Sequence, residues 1–294
     1  MSVKKRTIDI QHRFRKIGQG LEEELIHRWE KYASNLTRCK RGFSEDAVHD
    51  LRISCRRMIA ILDILLLIIP EKQTRRLRQS FKKHLGILSP LRDVQVQLAG
   101  VQDMVLRYPQ LEKYRTVLLL REQRLRKRLQ KDLRGHGPAT WKGEIQAVKD
   151  SFMRTTSDPR LRHAAFTVMH GASAALYTSA VNTLRKIDPT KTKTIHRLRI
   201  EVKKLRYTVE ILGPVLGLSS ARKVKAMQQY QTRLGDIQDM EVLITGLNSF
   251  SVHVGRTNGA SLRTLREELG QMKTKLIEEY LQSRDELMTF WRPR

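Results

Sequence analysis

One block of this chain occurs twice, half the chain length apart. Val48-His49-Asp50-Leu51-Arg52-Ile53 is matched by Ile195-His196-Arg197-Leu198-Arg199-Ile200, with His49 and His196 separated by 147 positions in a chain of 294. The match continues as Arg56-Arg57-Met58 against Lys203-Lys204-Leu205, and further on Arg75, Arg78 and Lys82 align with Arg222, Lys225 and Gln229. After one residue of slippage, Leu88-Ser89-Pro90-Leu91-Arg92-Asp93-Val94 aligns with Leu234-Gly235-Asp236-Ile237-Gln238-Asp239-Met240. Four matched blocks in one order at nearly one offset mark a duplicated unit. Whatever this chain folds into must therefore accommodate the same local structure twice.

That local structure is helical. Apolar residues recur at spacings of three and four, strand signals are nearly absent, and most of the eight prolines fall between such segments. The pattern predicts an all-α chain with helices over 17–39, 46–69, 71–88, 91–106, 109–134, 160–186, 192–212, 219–234, 236–248 and 260–290. Gly135-His136-Gly137-Pro138 is a firm break, Thr155-Thr156-Ser157-Asp158-Pro159 a second, and Asn258-Gly259 another turn. The expected organisation is a first helical bundle over 10–134, a connector over 135–159 containing a short helix at Trp141–Arg154, and a second bundle over 160–290.

Helical periodicity places the repeated cations. At about 100° per residue, His49, Arg52 and Arg56 form one stripe about 60° wide, while Leu51, Cys55, Met58, Leu62 and Leu65 form the face that packs. In the second copy His196, Arg199 and Lys203 repeat the stripe, Arg206 extends it, and Leu198, Val202, Leu205, Val209 and Leu212 repeat the apolar face. The basic stripe borders the core instead of lying opposite it, which is unlike an ordinary solvated face of mixed charge. Arg75, Arg78 and Lys82, with Arg222 and Lys225, make a second stripe on the next helix. Few acidic residues interrupt either, so both stripes are expected to present unpaired cations that a phosphate or carboxylate ligand would neutralise.

Charge supports a polyanionic partner. The formal net charge is +27, and residues 1–147 hold 32 Lys/Arg against 16 Asp/Glu while residues 148–294 hold 25 against 14. The positive field thus belongs to the folded body and not to a tail. A lone histidine near a helix start is ordinarily a capping or packing residue; one that heads an arginine stripe in both halves reads as a phosphate donor. Asp93 and Asp239 are read as first-turn residues of helices that begin after Pro90 and Gly235, where they favour the helix dipole, and either can also hold a neighbouring arginine. The run Arg121–Arg128 reads as a solvated basic face or a nucleic-acid element. With only 6% aromatic residues there is no stacking platform.

Other classes find little support. Glu22-Glu23-Glu24 lacks the spacing of a metal site, and no phosphate loop, nucleophile elbow or pair of catalytic carboxylates is present, so no catalysis and no cofactor are expected. Cys39 and Cys55 form no disulfide framework, which fits a reducing cytoplasm. The most apolar stretch, Ile59–Ile69, contains Asp63 and is too short to span a membrane.

The paired blocks resemble the CHAD family, the conserved-histidine α-helical domain, over about residues 10–290. The signatures are His49 through Arg57, His196 through Tyr207, Leu91 through Val94, and Leu234 through Asp239. The resemblance implies two pseudo-symmetric four-helix bundles around a basic central channel that binds inorganic polyphosphate without chemistry. Carried over by position, it implies contacts from His49, Arg52, Arg56, Arg57, Arg75, Arg78, Lys82, His196, Arg199, Lys203, Lys204, Arg206, Arg222 and Lys225. Two departures predict an unequal grip: Ile59 stands where the second copy has Arg206, and Gln238 where the first has Arg92. Many relatives carry an additional β-barrel domain that processes triphosphates; this chain is expected to be the stand-alone form, cytoplasmic and associated with polyphosphate granules. A helical nucleic-acid-binding module is the alternative, and an enzyme acting on phosphoanhydrides a third reading.

Overall fold

Ser44 starts the first copy of the repeat. Its hydroxyl accepts a hydrogen bond from the Ala47 N–H at 3.3 Å, and Glu45 and Asp46 follow in the first turn, where negative charge favours the exposed amides of a helix N-terminus. The second copy starts after a turn pinned by Asp188. This carboxylate accepts from the Thr190 N–H at 3.0 Å and the Thr190 hydroxyl at 2.6 Å, and Lys191 beside it helps hold its pKa down to about 2.

The structure is a computed structural model that describes residues 3–135, 137–216, 221–254 and 259–290. Among these there are nine α-helices and no strand: α1 (Val3–Lys40), α2 (Glu45–Leu65), α3 (Lys72–Val105), α4 (Glu112–Asp132), α5 (Pro138–Ser157), α6 (Pro159–Leu184), α7 (Thr192–Leu216), α8 (Ala221–Val254) and α9 (Gly259–Ser283). Short 3₁₀ segments at Pro109–Leu111 and Arg284–Thr289 precede α4 and follow α9. The all-α class is as expected, and the breaks before α5 and α6 fall where the sequence puts them, with Gly135 in the left-handed region at φ 77°. Of the Asn258-Gly259 turn, Asn258 lies outside the described residues.

Three expectations are corrected. The first helix begins at Val3, well before residue 17. The helices expected over 71–88 and 91–106 are one continuous α3, with Pro90 inside it. Proline in a helix interior costs about 3 kcal/mol through a lost hydrogen bond and a ring clash, yet Leu88, Leu91 and Val94 around it are all buried, and that packing outweighs the local penalty. The helices expected over 219–234 and 236–248 are likewise one continuous α8, with Gly235 buried in mid-helix. Asp93 and Asp239 therefore sit in helix interiors and cap nothing.

The chain divides into two compact units, and each takes segments from both sequence halves. The first comprises Met1–Leu88, Asp132–Thr178 and Lys204–Val224; the second comprises Ser89–Lys131, Ser179–Lys203 and Lys225–Arg294. In the first unit α1 packs on α2 and α5. Leu51, Cys55, Met58, Leu62 and Leu65 of α2 are fully buried, as their spacing predicts, against a core that includes Leu21, Leu25, Tyr32 and Leu36 of α1. The segment read as a connector contributes to this core through Trp141, Ile145, Val148 and Phe152 of α5. Around Trp141 the rings of Tyr32, Phe81 and His84 lie with centroids 5.7, 5.2 and 4.5 Å away. The Tyr32 hydroxyl is hydrogen-bonded to His84 Nδ1 at 2.7 Å.

The second unit has its own core, in which Val94, Val101, Leu111, Tyr114 and Leu118 meet Leu243, Leu247, Leu265 and Leu269. Here α8 needs a glycine. A Cβ on Gly246 would stand 2.3 Å from the Tyr114 hydroxyl and 2.5 Å from Gln97 Oε1, groups joined by a buried 2.7 Å hydrogen bond. The missing side chain is what lets that pair lie against α8.

Candidate functional site

Helix α2 carries the first copy of the motif. His49 is exposed at its fifth position, Arg56 and Arg57 are half-buried, and Arg52 is buried at 8% exposure, with Nη1 donating to the Leu85 carbonyl of α3 at 3.4 Å. A guanidinium so placed is fixed by the fold, because its fork of donors is planar and a backbone acceptor orients it. On α3, Arg75 and Lys82 are exposed and Arg78 is half-buried. Arg75 donates to the Pro70 carbonyl at 3.3 Å, while Arg78 pairs with Asp63 of α2.

The second half of α7 belongs to the same unit and supplies Lys204, exposed, and Arg206, buried at 7%. The Arg206 guanidinium lies 4.2 Å from the centroid of the Tyr207 ring, a cation–π contact, and its Nη1 pairs with Glu210 at 3.0 Å. Glu210 is a hub. Its other oxygen meets Arg57 Nη2 at 2.8 Å and Arg28 Nη1 at 3.2 Å, and Arg28 also pairs with Glu24 at 2.5 Å. Three guanidiniums from α1, α2 and α7 thus converge on one carboxylate.

This corrects the expectation that the stripes present unpaired cations: Arg206 and Arg78 each have a carboxylate, as does Arg57 outside the stripe. Arg28 and Glu210 were not singled out in the sequence. Arg28 lies four residues after Glu24, a spacing that reads as an ordinary surface pair, so no local signal marks it. Glu210 lies four residues after Arg206, which is a usable signal. Arg222, on α8 in the first unit, is exposed.

The second unit holds the other copy. His196, exposed at the fifth position of α7, donates from Nδ1 to the Gln238 side-chain oxygen at 2.5 Å. The Gln238 departure therefore has a consequence: an amide oxygen accepts from the histidine, which the aligned Arg92 has no acceptor to do. Arg199 and Lys203 are half-buried, and Lys225 is exposed. Arg199 lies along α8, where a Cβ on Gly235 would be 3.7 Å from its Nε and Nη2, ordinary contact. Asp239 stands in the field of Arg199, Arg92 and Lys203. Desolvation still raises its pKa, with Arg199 the strongest opposing influence, although the residue surface remains open to solvent. Asp236 is raised for the same reason and opposed by Arg199. The sequence reading that an aspartate here can hold an arginine fits this pair, and Arg92 enters as a cation not counted among the contacts.

Burial pushes the Cys39 and Cys55 thiols up to about 12, so neither is a thiolate near neutral pH. Among the described residues no group of three or more His, Cys, Asp or Glu is placed to hold a metal ion, and no helix is long and apolar enough to cross a membrane.

Comparison with known families agrees with this architecture. Residues 23–248 match the CHAD domain, more than three quarters of the chain. The chain belongs to the CHAD family. Its fold is similar to the crystal structure of the CHAD domain from the plant Ricinus communis, with a TM-score of 0.70 at 16% sequence identity, covering 94% of this chain and 92% of that one. At that identity the likeness is one of fold. No curated protein sequence matches. The CHAD assignment covers both His-x-x-Arg blocks and the Leu234–Asp239 block.

Proposed function

We propose that this CHAD chain binds inorganic polyphosphate, without catalysis, along the cationic faces of α2, α3, α7 and α8, in a basic channel of the kind the family implies. One observation carries the reading: Arg28, Arg57 and Arg206 converge on the single carboxylate of Glu210. Even with Glu24 counted, that cluster keeps a positive surplus. Concentrated like charge held inside a folded unit is relieved by an anion, and a phosphoryl group suits the guanidinium fork. The internal duplication belongs to the same proposal, supported by α3 and α8 having 34 residues each and by His49 and His196 each standing fifth in its helix.

The structure changes which residues should be tested. Arg52 is buried and tied to a backbone carbonyl, so its reversal would perturb the fold as well as the ligand. Arg75, Lys82, Arg222 and Lys225 are exposed. Titration calorimetry should show tight binding of long-chain polyphosphate at moderate salt and barely any of orthophosphate. Replacing those four cations by Gln should weaken polyphosphate binding and reduce its salt slope by roughly three, at about 0.7 per lost contact for a single-stranded polyanion. Unchanged affinity in that variant would overturn the proposal. So would equal affinity for a DNA duplex of the same phosphate count.

A further inference from the structure

Helix α4 carries a cationic face that the repeated motif does not include. Taking Val117 as zero at about 100° per residue, Lys113, Arg121, Arg124, Lys127, Arg128 and Lys131 fall within about 120° of one another. All six are exposed, and no acidic residue lies among them; Asp132 closes the row at its C-terminal end. The helix sorts its charges. Glu112 pairs with Arg115 at 2.6 Å and Glu122 with Arg126 at 2.7 Å, both on the other flank. Tyr114, Leu118 and Leu129 are buried on the packing side. Between Lys113 and Lys131 the row is about 27 Å long.

We infer that this face of α4 is a second polyanion surface, one that takes the phosphate backbone of duplex nucleic acid without regard to sequence. An anionic bilayer is the weaker fit, because interfacial helices need apolar side chains along the bound face. Here the exposed apolar residues, Val117 and Leu120, sit only in the N-terminal half, and from Arg121 to Lys131 the face is cationic throughout. Val117 and Arg121 line a groove with Gln238, Glu241 and Phe250 of α8, but from Arg124 to Lys131 the cations lie on exposed helix surface, along which the rigid phosphate rows of a duplex can lie. The row holds Lys and Arg but no Asn or Gln to read adenine edges, so it contacts backbone and not sequence. The inference does not depend on polyphosphate binding at the motif helices.

The test is fluorescence anisotropy with a labelled duplex of about 20 base pairs across a salt series. Wild-type protein should bind with a dissociation constant on the order of 10⁻⁴ to 10⁻⁶ M near physiological salt and a steep salt slope. The variant R121Q/R124Q/K127Q should lose at least about tenfold in affinity at low salt and about three units of slope, at about 0.9 per contact. Its polyphosphate affinity should be unchanged. R75Q/K82Q should show the reverse pattern, so failure of one reading leaves the other legible. R121K/R124K/K127R, which keeps the charge, should retain the slope and guards against a loss caused by unfolding. Three results would overturn the inference. Duplex binding in the Gln variant equal to wild type is one, and a matching loss of polyphosphate affinity, which assigns α4 to the polyphosphate site, is another. The third is tighter capture by vesicles of mixed neutral and anionic phospholipid than by duplex.

Discussion

The two copies of the His-x-x-Arg helix read alike in sequence and sit in unlike surroundings. In the first, Arg52 is buried and donates to a backbone carbonyl, Ile59 stands where the second copy has Arg206, and the aligned acid, Asp63, pairs with Arg78 of α3. In the second, Arg199 is half-buried in the field of Asp236 and Asp239, and His196 is tied to Gln238. Two turns further along the second copy, Arg206 is buried against Glu210. The lesson is that a motif sets which face a cation occupies, while its neighbours on other helices set whether that cation is a fixed part of the fold or is tuned by nearby carboxylates.

The sharpest way to break the comparison is to reverse the paired arginines. Arg52→Glu should destabilise the protein by about 3 kcal/mol or more, because a carboxylate would be buried facing a carbonyl oxygen. Arg199→Glu, half-exposed, should cost about 1–2 kcal/mol through repulsion by Asp236 and Asp239. Urea unfolding of the two variants measures the gap, and equal losses would show that the surroundings do not differ in effect.

Next in size is Glu210→Gln. It leaves Arg28, Arg57 and Arg206 without their shared carboxylate, and should lower stability by about 2 kcal/mol, less than for a fully buried pair since the site is partly open. Added polyphosphate should restore more thermal stability to this variant than to wild type, a difference that thermal melts with and without ligand would read.

A smaller effect is expected at Asp239. Its folded pKa is raised, so the folded state holds the proton more tightly than the unfolded chain does. The ionised group therefore weighs against folding above that raised pKa, and the penalty disappears as pH falls below the ordinary carboxylate value. Asp239→Asn should melt slightly higher than wild type at neutral pH, with the difference closing toward pH 3, and should bind polyphosphate a few-fold more tightly. A thermal midpoint that falls at pH 7 would contradict this.

The smallest change is Gln238→Arg, which gives the second copy the residue of the first. Losing the acceptor for His196 should cost about 0.5–1 kcal/mol at this exposed position. Calorimetry at low salt should show tighter polyphosphate binding from the added cation. Unaltered stability would mean that the His196–Gln238 contact orients the ring without contributing to folding.

Much of the fold was legible because periodicity is local. The face of Leu51, Cys55, Met58, Leu62 and Leu65, and that of Leu198, Val202, Leu205, Val209 and Leu212, are buried in full. The breaks at Gly135 and Pro159 also follow from backbone chemistry. What misled the reading was equally local: Pro90 and Gly235 are helix breakers by propensity, and both lie inside 34-residue helices because the apolar residues beside them gain more from burial than the backbone loses.

The sequence by itself therefore determined an all-α chain, the residues that form its cores, and a cationic motif repeated on helices of both halves. Tertiary structure alone decided which of those cations are held. Glu210 meets Arg206 within one helix, but its contacts with Arg57 and Arg28 join residues more than 150 positions apart. Such contacts depend on the relative register and rotation of packed helices. Charge spacing along one helix carries no information about which carboxylate a neighbouring helix will bring beside it.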